Sequence, residues 1–242
     1  MAGMDFSKGR FRVRFAVTAA DVEAAQRLRF RAFRGGEGVD ADGFDARCRH
    51  LMVERREDGA LMGTCRVQVL SEGRALEQSY TAQFYDLSAL AARFGRLLEI
   101  GRFCMAPAGV EPDALRLTWA ALTRIVDGEG VGVMFGCSSF AGTEGGAHAD
   151  AFAALAAAHL APVALRPGRR AAEVVPLCPA PHDARRAMQQ MPPLLRSYLA
   201  MGGWVSDHAV VDRDLGTLHV MTGVEIASIP PARARLLRAD AV

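Results

Sequence analysis

The sequence predicts a mixed α/β fold with a central, mostly antiparallel sheet and helices on both faces. Several segments alternate apolar and polar residues or form short apolar runs, as strands do, and segments of helical periodicity separate the later ones. The early strand patterns follow one another directly, which favours antiparallel pairing, whereas the later strand–helix–strand order requires crossovers. We expect residues 1–242 to form a single domain.

Local signals set the individual elements. Thr18 is suited to cap the first helix, with Asp21 in its first turn, and Pro112 is suited to open a later one. Asp58-Gly59 is a strong hairpin turn. Strands are predicted at residues 10–17, 50–56, 61–70, 97–105, 131–140, 173–177, 203–211 and 218–225. Helices are predicted at residues 19–33, 112–127, 149–160, 183–190 and 193–201.

The composition narrows the class of protein. Half of the residues are hydrophobic and 23% are charged, which is ordinary for a soluble domain. No apolar run reaches the roughly 18 residues of a bilayer span, and residues 1–14 lack a signal-peptide core. We therefore expect a cytoplasmic protein. The five cysteines are widely spaced without a CxxC pair, which predicts reduced thiols and no metal site.

Arginine supplies nearly all of the positive charge, because Lys8 is the sole lysine. A GC-rich genome would explain this bias, but guanidinium groups also bind phosphates and carboxylates. Clusters at residues 27–34, 166–170, 185–186 and 233–238 could steer an acidic carrier protein or an anionic membrane surface. A net charge of only +2, with no basic stretch interleaved with aromatics, argues against nucleic acid as a partner.

Five motifs follow one another along the chain. They are Leu28–Phe33 with Asp40–Asp45 and Cys48–Leu51, then Gly63–Arg66, Leu98–Cys104, Phe135–Phe140, and Met191–Leu199 with Asp212–Leu215. In this order they resemble the L-ornithine N-acyltransferase family, which makes lyso-ornithine lipid from 3-hydroxyacyl-acyl carrier protein and is similar to acyl-homoserine-lactone synthases. The resemblance implies a GNAT-like fold, acyl carrier protein as donor, L-ornithine as acceptor and a downstream lyso-ornithine lipid O-acyltransferase.

One departure from the wider GNAT group bears on the donor. Enzymes that use coenzyme A carry a Q/R-x-x-G-x-G/A loop that holds the pyrophosphate at a helix N-terminus. The equivalent stretch here, Ala106–Asp113, lacks that pattern and is acidic. A carrier-protein donor has no pyrophosphate, so we expect no cofactor.

Amide formation requires a group that takes a proton from the acceptor ammonium. Glu99 is the first candidate, because a carboxylate on a largely apolar strand usually has a partner or a catalytic role. The alternative is a strand-edge carboxylate paired with an arginine. Arg102, three residues later, would point to the opposite face of a regular strand, so we predict a bulge at Gly101 that lets the two act together.

The acidic loop and the residue that opens the next strand form a second candidate group. Asp42 and Asp45 would suit the cationic ends of ornithine, and the alternative is a calcium-like or merely solvated Asp/Gly turn, although the loop lacks the pattern of an EF-hand. Asp45 is also a candidate for the base, and the choice among Glu99, Asp45 and His50 stays open. His50 is suited to relay a proton near neutral pH, or it is structural.

Other candidates concern substrate binding. Arg29 and Phe33 lie four apart on one helical face and are expected to line the donor or acceptor pocket, unless they only pack. Arg66 would bind the acceptor carboxylate or pair with the acidic loop. Further along, we expect Ser138 and Ser139 to lie where the strands of GNAT folds splay apart and backbone donors stabilise the oxyanion.

The last candidates, Arg196 and Tyr198, are expected to border the acyl groove. Two other functions stay open. An acyl-homoserine-lactone synthase would use S-adenosylmethionine, which favours aromatics near the N-terminus, and no tryptophan precedes Trp119. An inactive module that binds lipid or carrier protein is disfavoured by the candidate catalytic groups. Peripheral contact with the inner membrane, through residues 183–201 or the Arg233–Arg238 tail, also stays open.

Overall fold

Two units, each drawn from separated stretches of sequence, make up the structure. The computed structural model describes residues 4–71, 73–107 and 111–241. The first unit contains Met1–Val69, Leu98–Val131 and Pro231–Val242, and the second contains Leu70–Leu97 and Gly132–Pro230. The single domain expected from the sequence stays a prediction, and each unit is described by itself.

The elements follow one another in the order that the sequence predicts, with a few additions. The strands are β1 (Asp5–Lys8), β2 (Phe11–Phe15), β3 (Arg49–Arg55), β4 (Leu61–Ser71), β5 (Tyr85–Asp86), β6 (Arg96–Met105), β7 (Val133–Ala141), β8 (Gly168–Arg169), β9 (Val174–Pro176), β10 (Trp204–Asp212) and β11 (Thr217–Glu225). The helices are α1 (Ala19–Phe33), α2 (Ser88–Arg93), α3 (Pro112–Glu129), α4 (Ala149–Ala158), α5 (Ala184–Gln190), α6 (Pro193–Leu199) and α7 (Pro231–Ala241). Short 3-10 turns connect several of them.

The sheet of the first unit orders its strands β1-β2-β3-β4-β6. The pairs β1–β2, β2–β3 and β3–β4 are antiparallel, as predicted for consecutive strands. On β2 the residues Phe11, Val13 and Phe15 are buried while the arginines between them are not, so the period of two puts one face on the core. This sheet is the platform that carries the candidate active site.

Helix α1 begins where the sequence predicts, at a capping box. The Thr18 side chain accepts from the Asp21 amide, and the Asp21 carboxylate accepts from the Thr18 amide. The same carboxylate accepts from Arg14 of β2 at 2.7 Å. These bonds join the start of α1 to the sheet and thereby set the direction in which the helix crosses it.

The sheet of the second unit contains β7, β11, β10 and β9, paired antiparallel in that order. Neighbouring residues of one strand enter different apolar clusters. Met221 packs with residues of the 76–97 stretch, whereas Val220 packs with α4 and α6. Apolar residues from other segments therefore pack against both faces of this sheet, as the sequence predicts.

Two elements of the first unit were not predicted. Strand β1 has four mostly exposed residues, which is too short for a clear alternation. Helix α7 replaces the expected Arg233–Arg238 tail, and its Arg238 donates to Asp127 of α3 at 2.8 Å. Among the described residues, none of the helices combines the length and apolar character needed to cross a bilayer.

Polar side chains lie buried in the core of the second unit, beside an irregularity in β10 between Val205 and Ala209. The Tyr85 hydroxyl donates to the His219 carbonyl at 2.8 Å. His219 itself is 1% exposed, and its Nε2 has no hydrogen-bond partner within the part of the chain that the structure describes. Burial lowers the pKa of His219 from 6.5 to about 4.

This buried imidazole predicts a stability change under mild acid. Between pH 6.5 and about 4 the unfolded chain binds a proton at His219 that the folded chain does not, so the free energy of unfolding falls as the pH is lowered through this window. The loss is on the order of 3 kcal/mol. Urea unfolding at a series of pH values measures it. His219→Gln should flatten the profile and the exposed-site control His182→Gln should not; an unchanged profile in His219→Gln would refute this assignment.

Candidate active site

A cluster of alternating charges lies in the first unit, and four segments contribute to it. We call it the Arg–Asp cluster. Helix α1 supplies Arg29, the loop after α1 supplies the three carboxylates, β4 supplies Arg66 and β6 supplies Arg102. Among the described residues its members are Arg29, Asp40, Asp42, Asp45, Arg66 and Arg102.

Arg29 is the centre of the cluster. Its side chain is completely buried, and its guanidinium donates to Asp40 Oδ2 at 2.9 Å and to Asp45 Oδ1 at 2.7 Å. It also donates to the Asp40 carbonyl. A guanidinium removed from water must be paired and hydrogen-bonded to be tolerated. Arg29 therefore fastens the acidic loop to α1.

Asp45 is saturated by donors. Besides Arg29, it accepts from Gln26 Nε2 at 2.8 Å, from the Asp42 amide at 3.1 Å and from Arg66 at 3.1 Å. Burial acts to raise its pKa, but the hydrogen bond and charge of Arg29, with the other donors, lower the pKa well below its usual range. Such a carboxylate accepts a proton poorly. The structure thus favours a positioning role for Asp45 over the proton transfer that the sequence suggested.

Asp42 is the most open carboxylate of the cluster. Its side chain is 25% exposed, against 5% for Asp40 and 9% for Asp45. One of its oxygens accepts from Arg66, which is itself 3% exposed and also pairs with Asp45. Of the two roles predicted for Arg66, the structure shows the ion pair with the acidic loop.

Arg102 lies at a distortion of β6. Its φ is 51°, in the left-handed region, so the strand departs from regular geometry directly after Gly101. The bulge predicted at Gly101 itself stays a prediction. The guanidinium donates to Asp40 Oδ2 at 3.1 Å and to Asp42 Oδ2 at 3.3 Å. A residue with a side chain is strained in this backbone conformation. Two ion pairs offset that strain, which is why a non-glycine residue occupies the position.

Glu99 lies near the Arg–Asp cluster on β6, the strand that supplies Arg102. It is 5% exposed. Burial raises the pKa of the Cys48 thiol to about 11; the charge of Arg66 opposes this rise, and the charges of Glu99, Asp42 and Asp45 add to it. Glu99 is thus close enough to the Arg–Asp cluster to act on the same thiol as three of its members.

His50 is buried at the start of β3, opposite Arg66 in the β3–β4 register. Its Nε2 lies 3.2 Å from the Asp45 carbonyl and must carry the proton, since a carbonyl only accepts. Its Nδ1 has no hydrogen-bond partner among the described residues. Burial lowers the pKa of His50, so the ring is neutral near pH 7.

The remaining predicted residue of this unit does not join the cluster. Phe33, at the end of α1, is 38% exposed whereas Arg29 is fully buried. The two share a helical face, but only Arg29 enters the charged site. The pocket wall expected from the pair stays a prediction.

Four predicted residues belong to the second unit. Ser138 is buried on β7 and accepts from the Thr222 hydroxyl at 2.9 Å, while Ser139 is exposed. On α6, Tyr198 is buried, and Arg196 is exposed and donates to the Met188 carbonyl at 3.5 Å. Strand β7 continues past the serines to Ala141 in regular register with β11. Their roles at the oxyanion and the acyl groove stay predictions.

Sequence reasoning missed Asp40 as a site residue. It lies in the acidic motif, yet its function depends on Arg29, 11 residues before it, and on Arg102, 62 residues after it. One oxygen of Asp40 is shared by both guanidinium groups. The acidic motif is a signal for its importance, but separations of this size are not readable from one sequence.

The predictions about metal and cofactor binding can be compared only with the described residues. Within them, no group of three or more His, Cys, Asp or Glu side chains is arranged to hold a metal ion. The expected absence of a pyrophosphate loop concerns Ala106–Asp113, of which residues 108–110 lie outside the described ones. That argument continues to rest on the sequence.

Structural comparison identifies the class of fold. The chain is similar to FeeM, an N-acyl amino acid synthase from uncultured soil microbes, with a TM-score of 0.53 and 10% identity over 91% of this chain and 93% of that one. It is also similar to TofI in its apo form, with a TM-score of 0.51 and 16% identity over 96% and 99% of the two chains. The acetyltransferase (GNAT) domain family matches residues 25–120, which include the whole Arg–Asp cluster. The fold is that of a GNAT-type acyltransferase, as predicted.

Sequence relatives narrow the class to a family. An L-ornithine N(alpha)-acyltransferase from Rhodobacter capsulatus is 34% identical over 87% of this chain and 88% of its own length. One of the same name from Brucella abortus is 32% identical over 91% of this chain and 86% of its own length. The chain belongs to the L-ornithine N(alpha)-acyltransferase family, which confirms the resemblance seen in the motifs.

The burial of Arg29 predicts a large difference between two arginines of α1. Arg29→Ala leaves Asp40 and Asp45 without their main partner and should cost about 3–5 kcal/mol of unfolding free energy. Arg27 is 47% exposed and pairs only with the exposed Glu23, so Arg27→Ala should cost under about 0.5 kcal/mol. Urea unfolding of both variants at pH 7 makes the comparison. Equal costs would show that the cluster does not hold the fold together.

Proposed function

We propose that this protein transfers a 3-hydroxyacyl chain from acyl carrier protein to the α-amino group of L-ornithine, giving lyso-ornithine lipid. The observation that carries the proposal is the 34% identity, over 87% of the chain, to a protein named L-ornithine N(alpha)-acyltransferase. The charged site in the first unit supports an amino acid as the acceptor.

The acceptor would meet the cluster at its open end. Asp42 is 25% exposed and Arg102 is 10% exposed, and the two form an ion pair. An amino acid carries an ammonium and a carboxylate, and this pair offers one group of the opposite sign to each. A dibasic acceptor has a second ammonium, so Asp42 would bind the side-chain ammonium while Glu99 faces the α-amino group. The buried Arg29, Asp40 and Asp45 would hold these groups in place.

The reaction requires two proton transfers and one bond exchange. The α-ammonium first loses a proton to Glu99, and the amine nitrogen attacks the thioester carbonyl carbon. As the carbon–sulfur bond breaks, the attacking nitrogen loses its second proton to give the neutral amide. The leaving thiolate takes up that proton and departs as the carrier protein's thiol. Holding the amine beside the carbonyl contributes as much as the base does, because it removes the entropic cost of bringing the reactants together.

The donor assignment rests on the sequence of Ala106–Asp113, which has no glycine pattern for a pyrophosphate. An acidic stretch would repel the phosphates of coenzyme A. An acyl carrier protein brings its thioester on a phosphopantetheine arm, which has a single phosphodiester and no pyrophosphate.

An acceptor and donor screen tests the proposal. The purified protein is given 3-hydroxyacyl-acyl carrier protein with ornithine, glutamine, glycine or S-adenosylmethionine, and thiol release and product mass are followed. Acylation with ornithine as the preferred acceptor is expected. With a verified donor, a preference for another acceptor would reject ornithine, and no thiol release with any of them would reject the enzymatic function.

Glu99→Gln tests the base. The amide keeps the size of the side chain but takes up no proton, so kcat should fall by about 10²–10⁴ while KM for ornithine stays near its wild-type value. Glu54→Gln is the control, since Glu54 lies on the same sheet and pairs with Arg14 instead. A kcat within about twofold of wild type for Glu99→Gln would exclude Glu99 as the base.

Asp42 and Asp45 are expected to differ in what their loss changes. Asp42→Asn should raise KM for ornithine about 10- to 100-fold, because the open carboxylate binds a charged group of the acceptor. Asp45→Asn should lower the unfolding free energy instead, because Asp45 is saturated by internal donors. Steady-state kinetics and urea unfolding of both variants separate the roles. The same KM change in both would contradict the assignment.

A further inference from the structure

Helices α5 and α6 present a cationic surface in the second unit. Arg185 and Met188 are exposed on α5, and Arg196 is exposed on α6. Met188 is 50% exposed and supplies the apolar part of this surface. We call these three residues the α5–α6 surface.

Several other exposed arginines of this unit are already paired with carboxylates. Arg170 pairs with Glu77 at 2.7 Å, Arg186 with Asp150 at 3.0 Å, and Arg213 with Glu173 at 2.6 Å. By contrast, Arg185 and Arg196 have no carboxylate partner anywhere in the described part of the chain. Their charges are therefore available to a binding partner, while those of the neighbours are not.

The geometry places the free charges around the apolar side chain. Arg185 and Met188 lie three apart on α5, which puts them on one helical face. The Arg196 guanidinium donates to the Met188 carbonyl at 3.5 Å, so it lies at the far end of the same helix. The opposite side of α5 is fixed by the buried Ala187 and by the Asp183 cap.

We propose that the α5–α6 surface docks the acidic, helical carrier protein that brings the acyl thioester; this rests on the function proposed above. Residues 179–203 contain three arginines and one aspartate, so the segment is positive where such a partner is negative. An amphipathic acidic helix would pair its carboxylates with Arg185 and Arg196 and cover Met188 with its apolar residues. Opposite charges at the rim raise the association rate and set the orientation.

A membrane surface fits these observations less well. Interfacial binding needs a broad apolar face with several cationic residues, and each of these contributes only about 1 kcal/mol near an anionic leaflet. Two arginines and one methionine do not form such a broad apolar face. Lipid binding is therefore an outcome of the test and not the proposal.

The test compares two adjacent arginines of α5. Binding of 3-hydroxyacyl-acyl carrier protein to the full chain is measured by surface plasmon resonance at low and at physiological salt. Arg185→Ala should weaken binding by about five- to tenfold, and adding Arg196→Ala should weaken it further. Arg186→Ala removes the same charge one residue away, from a side chain already paired with Asp150, and should change binding by less than about twofold.

Kinetics give a second measurement that a folding defect would not reproduce. In Arg185→Ala the kcat/KM for the carrier protein should fall by the same factor as binding, with kcat and KM for ornithine unchanged. Urea midpoints equal to wild type confirm that the variant is folded.

Several results would overturn the proposal that the α5–α6 surface docks the carrier protein. The first is binding of the carrier protein to the double variant within twofold of wild type. The second is a loss of binding in Arg186→Ala equal to that in Arg185→Ala. The third concerns binding to vesicles of anionic lipid, and is a loss of vesicle binding in the variants without any loss of carrier-protein binding. If ornithine is still acylated from the carrier protein in those cases, the proposed function stands without this surface. If wild type acylates nothing from the carrier protein, both fail.

Discussion

The buried guanidinium of Arg29 is the constraint on which the first unit depends. It has no access to water and carries a full charge, so opposite charge must be brought to it from elsewhere in the chain. The acidic loop meets this need with Asp40 and Asp45. Those carboxylates in turn bind Arg66 and Arg102, which joins β4 and β6 to α1. One desolvated charge thus accounts for the shape of a loop and for the distortion of a strand.

The carboxylates of the Arg–Asp cluster differ in how fully the protein's own donors engage them. Asp45 is fully engaged and low in pKa, which suits a structural member. Asp42 is more exposed, and the proposed function assigns it to the acceptor. Under that function, the residues that face the acceptor are held by buried ones that do not touch it, which keeps the geometry rigid. Mutations in the buried members would then lower activity through position and not through chemistry.

Features that depend on neighbouring residues were predictable, and those that depend on distant ones were not. The capping box at Thr18 and the hairpin at Asp58-Gly59 are local, and the structure confirms both. A bulge was predicted at Gly101 so that Glu99 and Arg102 could share a face, but the left-handed backbone of Arg102 and its pairing with Asp40 involve a distant loop and could not be predicted from the strand alone. Helix α7 was missed because it is polar and docks through ion pairs such as Arg238–Asp127. The motifs predicted the residue types of the site, but only the fold shows which of these residues pair with one another.

The interleaving of the two units has a consequence for biosynthesis. Helix α7 completes the first unit, yet its residues 231–241 are translated after the whole of Gly132–Pro230. Asp240 of that helix accepts a hydrogen bond from Lys8 at 2.9 Å, which joins a segment made late to one made much earlier. The charged site can begin to assemble once β6 leaves the ribosome, whereas the unit that contains it closes only after residues 231–241 are made. Arg29 lies only 11 and 16 residues from Asp40 and Asp45, so these side chains can pair and neutralise each other long before the unit closes.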